Sequence, residues 1–366
     1  MTKSLEGVRV VEYSPQYSGA YCTMVLAALG AEVIRIEPPE STACTAAPYE
    51  QASLRRGKRR IRLNLQNEKA REFLFRLLDT ADIFVVDADV ETIQSLDLTY
   101  EALSKRSKRL IYCACSSFGM TGSFSGKSLP DLIIQGLTGA MFITGCDAEH
   151  PCRCGLDMTE ISTGIHAVLG CLAALFERRK TGTGQCVDIA MFDVMMALLE
   201  NPCILSLNTD FTPTAVGNRD ISVFPYATLR AKDGCINISA GNDSLFSRLA
   251  QALGIPEIAT DSRFATNHLR MQNWPDLEKH LNAAMETKTI REWQPILEAA
   301  GIPVGPILEM DQTLQLCQIR ERNLITTVHQ PGTGDIRCIT PAVRLSDSPI
   351  DTEVFNQEPS DFEEIQ

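Results

Sequence analysis

VRVVEYSPQYSGAYCTMVLAALGAEVIRIE, residues 8–37, holds three patterns in succession. Val8–Tyr13 is a short run of branched and aromatic residues, the composition of a buried strand. Ala20–Gly30 carries apolar residues at helical spacing and stops at a glycine, and Glu32–Glu37 is a second strand-like run. Strand, helix and strand within thirty residues make a βαβ unit, so the two strands run parallel and the helix covers one face of their sheet. The turn after the first strand, YSPQYSGAY, has Gly19 as its only glycine. It therefore lacks the G-x-G-x-x-G with which dinucleotide sites admit a pyrophosphate.

The alternation continues outward. RIRLNL (60–65), the helical EKAREFLFRLLD (68–79), DIFVVD (82–87), a helical segment over 100–105 and LIYCACS (110–116) predict an α/β fold with a large Rossmann-like domain and a parallel sheet. The glycine-punctuated stretch 122–145 holds one short helix around Asp131–Leu137. GLDMTEISTGIHAVLGCLAALFERRKTGTGQ (155–185) then supplies the most periodic helix, ending in basic residues near Gly182. Ile165, Val168, Leu169, Leu172, Leu175 and Phe176 form one stripe, expected to be core. QCVDIAMFDVMMALLE (185–200) reads as strand then helix, and the polar segment 208–219 as a boundary. Beyond it, a hairpin about Asp233-Gly234 and helices near 243–253, 277–286 and 290–300 predict a smaller α+β domain. The acidic tail, 351–366, is expected to be partly ordered at best.

Of the 366 residues, 44% are hydrophobic and 22% charged, the range of a globular protein of about two domains. A net charge of −12 argues against general nucleic-acid or anionic-membrane binding. LRRGKRRIR (54–62) is the local exception, and an extended backbone there puts Lys58, Arg60 and Arg62 on one face. Either the run is a solvated face or it meets an anionic ligand. The 13 cysteines are odd in number and mostly lie singly in apolar segments, which fits free thiols in a reducing, cytoplasmic setting. Cys113/Cys115 and Cys152/Cys154 are spaced C-x-C rather than C-x-x-C, so no metal site is expected. No stretch reaches 18–20 uninterrupted apolar residues, and MTKSLEGVRV leads into a strand rather than resembling a cleavable signal.

Two carboxylates precede the long helix. Asp157 and Glu160 have the spacing of a capping box, with Asp157 as N-cap and Glu160 three residues on. The same place suits a nucleophile, because only the anionic oxygen attacks and a covalent intermediate splits acyl transfer into two easier steps. The five histidines form no H-E-x-x-H, and neither G-x-S-x-G nor a Walker loop occurs, so carboxylate chemistry is what remains. His166 is expected to be a hydrogen-bonded core residue rather than a base.

Six ordered blocks, Leu5–Pro39, RRGKRRIRLNL (55–65), PDLIIQGLTGAM (130–141), STGIHAVLGCLAALFERRKTGTGQ (162–185), VDIAMFDVMM (187–196) and AAGIPVGPI (299–307), resemble the class III CoA-transferases related to formyl-CoA and carnitine CoA-transferases. The resemblance implies a large domain built from both chain ends, here 1–207 with 325–366 returning, a small domain and linkers over 208–324, and two interlocked subunits. It implies transfer of CoA from an acyl-CoA to a carboxylic acid through a catalytic aspartate, by way of a mixed anhydride and an aspartyl-CoA thioester. CoA is thus a substrate, with no tightly bound cofactor expected.

The position matching that aspartate is Glu160, which has the same nucleophilic group on a stem one methylene longer. The family's CoA contacts map to Gln16, Tyr17 and Ser18, and to Lys58 and Arg59. A second departure is DADVETI (87–93), where the family usually has an N-F-x-P-G-type turn. Asp87 and Asp89 must be screened or turned away from a polyanion. Two other activities are open: a non-catalytic subunit paired with an active paralogue, and a 2-methylacyl-CoA racemase, whose histidine position is occupied here by Pro130.

Overall fold

The computed structural model describes residues 3–39, 48–332, 334–351 and 353–361. The chain divides into two compact units: one of residues 1–140, 153–212 and 317–366, the other of 141–152 and 213–316. The sequence-based division did not anticipate that 141–152 would join the second unit.

The large unit is built on a seven-stranded parallel sheet. Its strands are β1 (Arg9–Tyr13), β2 (Glu32–Glu37), β3 (Lys58–Arg62), β4 (Ile83–Val86), β5 (Ile111–Ser116), β6 (Cys186–Ala190) and, from the far end of the chain, β13 (Ser360–Asp361). The spatial order is β13-β3-β2-β1-β4-β5-β6, so the winding reverses between β1 and β4. The period of two sends neighbouring residues to opposite faces. Val10, Ile83, Val85, Ile111 and Cys113 pack under α1 (Tyr17–Ala28) and α8 (Met158–Thr181). Val11, Phe84, Val86, Tyr112 and Ala114 pack on the other side with Leu74 and Leu78 of α3 (Glu68–Asp79) and Leu103 of α5 (Tyr100–Arg106). Between these in chain order come α2 (Pro48–Arg55), α4 (Val90–Ser95) and α6 (Asp131–Leu137), and α8 is followed by α9 (Met191–Leu198) and α10 (Glu200–Asn208); the one-turn α7 (Ala140–Ile143) falls, but for Ala140, in the segment 141–152 of the other unit.

α8 is, among the described residues, the one helix long and apolar enough by composition to cross a membrane. Part of that apolarity faces protein: Ala167, Val168, Cys171 and Ala174 are buried in the core beside β5. The expected core stripe is only half right, since Ile165, Leu169 and Phe176 are exposed by 51, 64 and 62%. Small residues face the sheet because α1 also packs there and leaves little room. At its end, the left-handed Gly182 donates its N–H to Arg178 O and closes the helix.

The chain returns to the large unit as a three-stranded sheet of β10 (Ile325–Gln330), β11 (Gly334–Ile339) and β12 (Glu353–Phe355), ordered β11-β10-β12. The part of the acidic tail that is described therefore supplies two strands. Its last residues, 362–366, lie outside the described residues. The small unit carries the predicted hairpin as β7 (Tyr226–Ala231) and β8 (Gly234–Ser239), joined by β9 (Val304–Pro306) in an antiparallel sheet. Its core is formed by Phe246, Leu277, Leu281 and Trp293 from the surrounding helices.

Candidate active site

Open parallel sheets bind ligands beyond the carboxyl ends of their strands, where the winding reverses. Here that place lies between β1 and β4. The turn Ser14–Gln16 leaves β1 and enters α1, with Gln16 as N-cap. Asp87 follows β4, and Ser116 and Ser117 follow β5. A cleft of about 220 Å3 opens there, and its lining includes Ser18, Asp87, Ser117, Lys127 and Pro130. A second, of about 270 Å3, is lined by Tyr17, Arg35, Glu50 and Arg55. Gln16 and Glu160 line both.

Glu160 sits in the first turn of α8. Close approach of α8 to α1 brings it to the β1 turn, and Gly164 permits that approach. A Cβ at this glycine would lie 2.8 Å from Ser18 O and 3.0 Å from Tyr21 Cδ1. The helix start is fixed from outside. Asp157 occupies the N-cap position but caps nothing, because its carboxylate pairs with Arg153 at 3.1 Å. The capping is done by the buried Asp131 of α6, whose Oδ1 accepts Thr159 N–H at 2.8 Å and the Thr159 hydroxyl. Gln135 ties the assembly down, donating to Asp131 and accepting Cys154 N–H at 2.9 Å. The capping-box reading of Asp157 is thereby corrected: the cap comes from 28 positions upstream.

With its helix start capped by another residue, the Glu160 carboxylate has no hydrogen-bond or ion-pair partner among the described residues. Burial raises its pKa to about 7, with repulsion from Asp131, Asp157 and Glu50 adding to it. Tyr17 next to it stays a neutral phenol, pushed up to about 12 by burial and by carboxylates that include Glu50 and Glu160. Tyr17 also stacks on Tyr21, with ring centroids 6.0 Å apart.

The DADVETI segment resolves itself structurally. Asp87 is buried and accepts Gly19 N–H at 2.8 Å, and burial raises its pKa to about 7, opposed by that N–H and reinforced by Glu160 and Glu12. Asp89 also lines the cleft but is engaged as the N-cap of α4, accepting Thr92 N–H at 2.8 Å and its hydroxyl at 2.7 Å.

Of the expected CoA contacts, the structure brings Gln16, Tyr17 and Ser18 to Glu160 and does not bring Lys58 or Arg59. The Lys58 side chain is fully buried, and its three N–H donors go to Glu12 Oε2 at 2.8 Å, Ala20 O at 2.8 Å and Thr23 Oγ1 at 2.7 Å. No proton is left for a phosphate, so Lys58 is a structural cation. Arg59, on the opposite face of β3, pairs with Glu32 at 3.2 Å and lines neither cleft. The alternation of the basic run is as predicted, but Arg60 also faces inward, pairing with Glu37 at 3.3 Å. Partners so far apart in sequence leave no local signal. His166 bonds Ser162 O through Nδ1 at 2.8 Å, a helix-internal contact. Among the described residues no group of three His, Cys, Asp or Glu side chains is arranged to hold a metal ion.

Comparison with known proteins identifies the family and the fold. A family model described as CoA-transferase family III matches residues 5–360. The chain is 31% identical over 353 residues to the succinyl-CoA:glutarate CoA-transferase of Mus musculus, covering 94% of this chain and 81% of that protein. It is 33% identical over 329 residues to the acetyl-CoA:oxalate CoA-transferase of Acetobacter aceti, covering 87% and 85%. Among solved structures, a CaiB/BaiF family protein from Brucella suis superimposes with a TM-score of 0.87 at 30% identity, over 98% of this chain and 97% of that one.

Proposed function

The chain belongs to CoA-transferase family III, and from that premise we propose that it moves CoA from an acyl-CoA thioester to a carboxylic acid with Glu160 as the covalent nucleophile. The observation that carries this reading is the unpartnered Glu160 carboxylate at the meeting of two clefts. A Glu160 oxygen attacks the thioester carbonyl, the C–S bond breaks, and CoA leaves as thiolate from a mixed anhydride. The thiolate then attacks the Glu160 carbonyl, releasing the donor acid and leaving a glutamyl-CoA thioester. An acceptor carboxylate reverses the two steps and departs as its CoA thioester. Each step passes one negative charge between oxygen and sulfur, and no external oxidant, reductant or bound cofactor is needed.

The longer glutamate stem requires the acyl carbon to sit about one methylene farther from α8. The first turn of α1, with Tyr17 and Ser18, directs backbone N–H groups toward a developing anion. Gln16 is placed to contact substrate from either cleft. The reading includes an interlocked homodimer, supported by Ile165, Leu169 and Phe176 on α8 and Leu207 on α10, all exposed by more than half. It also includes cytoplasmic residence, supported by free thiols at every described cysteine.

The experiment is to incubate the protein with succinyl-CoA or acetyl-CoA, trap with hydroxylamine or borohydride, and locate the modification by peptide mass spectrometry. Modification at Glu160, lost in Glu160→Gln, is expected. Absence of modification and of CoA binding across a broad acyl-CoA panel would instead support a non-catalytic subunit.

A further inference from the structure

The cleft at the β1–β4 reversal contains a second carboxyl group that the transfer chemistry does not use. Asp87 is 6% exposed, at the carboxyl end of β4, and lines the same cleft as Glu160. Its Oδ2 accepts Gly19 N–H, while Oδ1 has no partner among the described residues. The approach is close: a Cβ on Gly19 would lie 2.8 Å from the Asp87 Cβ and 2.5 Å from Ser14 Oγ. Apart from that Gly19 N–H of α1, the neighbouring elements present groups that do nothing to favour an anion here, or oppose one. β1 contributes Glu12, whose charge is already met by Lys58 and Arg35. α8 contributes Glu160, β5 the thiol of Cys115, and the loop itself Asp89. The lining's one cation, Lys127, is solvent-exposed and lies over the Phe124 ring at 4.3 Å.

Two carboxyl groups that line one cleft, Asp87 with a single N–H donor and Glu160 with none among the described residues, disfavour ionising together, so one of them keeps its proton. The deeper group holds it, because its anion loses more hydration. We propose that Asp87 works as a neutral acid, keeping Gly19 N–H on Oδ2 and turning the O–H of Oδ1 into the cleft as a donor to the negative charge formed when Glu160 attacks a thioester. This rests on the reading of Glu160 as nucleophile. The Asp87 proton stays in place: charge moves from Glu160 through the tetrahedral oxygen to the CoA sulfur, and the hydrogen bond strengthens as that charge appears. An acidic residue beside a polyanionic substrate thus becomes a donor instead of a source of repulsion.

The test follows the initial rate of Glu160 modification by succinyl-CoA or acetyl-CoA, whichever labels the wild type, across pH 5–9. The wild type is expected to give a bell: the acid limb is ionisation of Glu160, the alkaline limb ionisation of Asp87 and loss of its donor. Asp87→Asn keeps a donor of the same shape, with its amide N–H2 in the cleft, and should lose the alkaline limb while remaining at least about tenfold faster than Asp87→Ala at the optimum. Asp87→Ala should be slower by about 10²–10³-fold at the wild-type optimum, the usual effect of removing one such donor, with the gap narrowing on the alkaline side where the wild type loses the same donor. Thermal melting and CoA titration report whether either variant still folds and binds. A profile for Asp87→Asn that superimposes on the wild type, or a rate as low as that of Asp87→Ala, overturns the proposal for Asp87 and leaves Glu160 standing. No modification of wild-type Glu160 at any pH refutes the nucleophile first, before any variant is made.

Discussion

Gly164→Ala isolates the contact that delivers Glu160 to the β1 turn. The added methyl would meet Ser18 O at 2.8 Å, against about 3.4 Å for ordinary contact, so α8 or the first turn of α1 must retreat by about 0.6 Å. The obstacle is a backbone carbonyl inside a helix and cannot rotate away. Overpacking of this kind costs about 1–3 kcal/mol, and alanine in a helix returns about 1 kcal/mol relative to glycine, leaving a net loss of roughly 0–2 kcal/mol. Activity should respond more. A misplacement of about 1 Å at a reacting group can cost on the order of 10²-fold, so a shift of about 0.6 Å predicts roughly tenfold slower turnover at saturating substrate. Thermal melting and steady-state transfer, read side by side, check this. Gly155→Ala is the control, since a Cβ there meets nothing within 4 Å. Wild-type turnover in folded Gly164→Ala would refute the claim that this glycine sets the position of the nucleophile.

Other outcomes follow from the same geometry. Lys58→Met leaves the buried Glu12 with Arg35 as its remaining cation and should destabilise by about 3–5 kcal/mol, read by urea denaturation, with CoA affinity of the folded protein unchanged; weaker CoA binding at unchanged stability would restore Lys58 as a phosphate contact. Because the Glu160 pKa is raised in the fold, its protonated form stabilises the native state below about pH 4 and that contribution is lost as pH rises through about 7. Glu160→Gln should therefore melt roughly 2–4 °C above wild type at pH 8, a gap that closes below pH 4 in calorimetry. Ile165→Lys with Leu169→Lys should convert a dimer to monomer by light scattering; a wild-type monomer would contradict the interlocked assembly.

The parallel sheet was legible because Val10-Val11 and Ile83–Val86 carry their burial on both faces, and the strand–helix alternation fixes the handed crossover. The helix expected near 290–300 was legible as well, and it forms as Ile290–Ala299. What could not be read was anything settled by a distant partner. The α8 stripe was misjudged because periodicity marks an apolar face without saying whether this chain covers it. Lys58 reads as part of a solvated or anion-binding face and then, by resemblance, as a CoA contact, whereas its partner Glu12 lies 46 positions earlier. Glu160 was found through its sequence block, whereas Asp87, which looked like a liability, acquires its setting only when β4 ends beside Gly19.

The basic run has a further consequence in time. β3 meets its outer neighbour only when Ser360 and Asp361 pair with Ile61 and Arg62, and Arg60 waits for Gln357 O, 297 positions along the chain. During synthesis the outer edge of β3 is therefore an open template for hydrogen bonding while most of the protein is still unmade. Four of its five residues are Lys58, Arg59, Arg60 and Arg62. Charge on an unpaired edge is the ordinary obstacle to pairing with another chain. A run that looks like a ligand patch in the sequence, and is largely paired in the finished protein, is thereby also a charge barrier on the nascent edge until the tail arrives to occupy it.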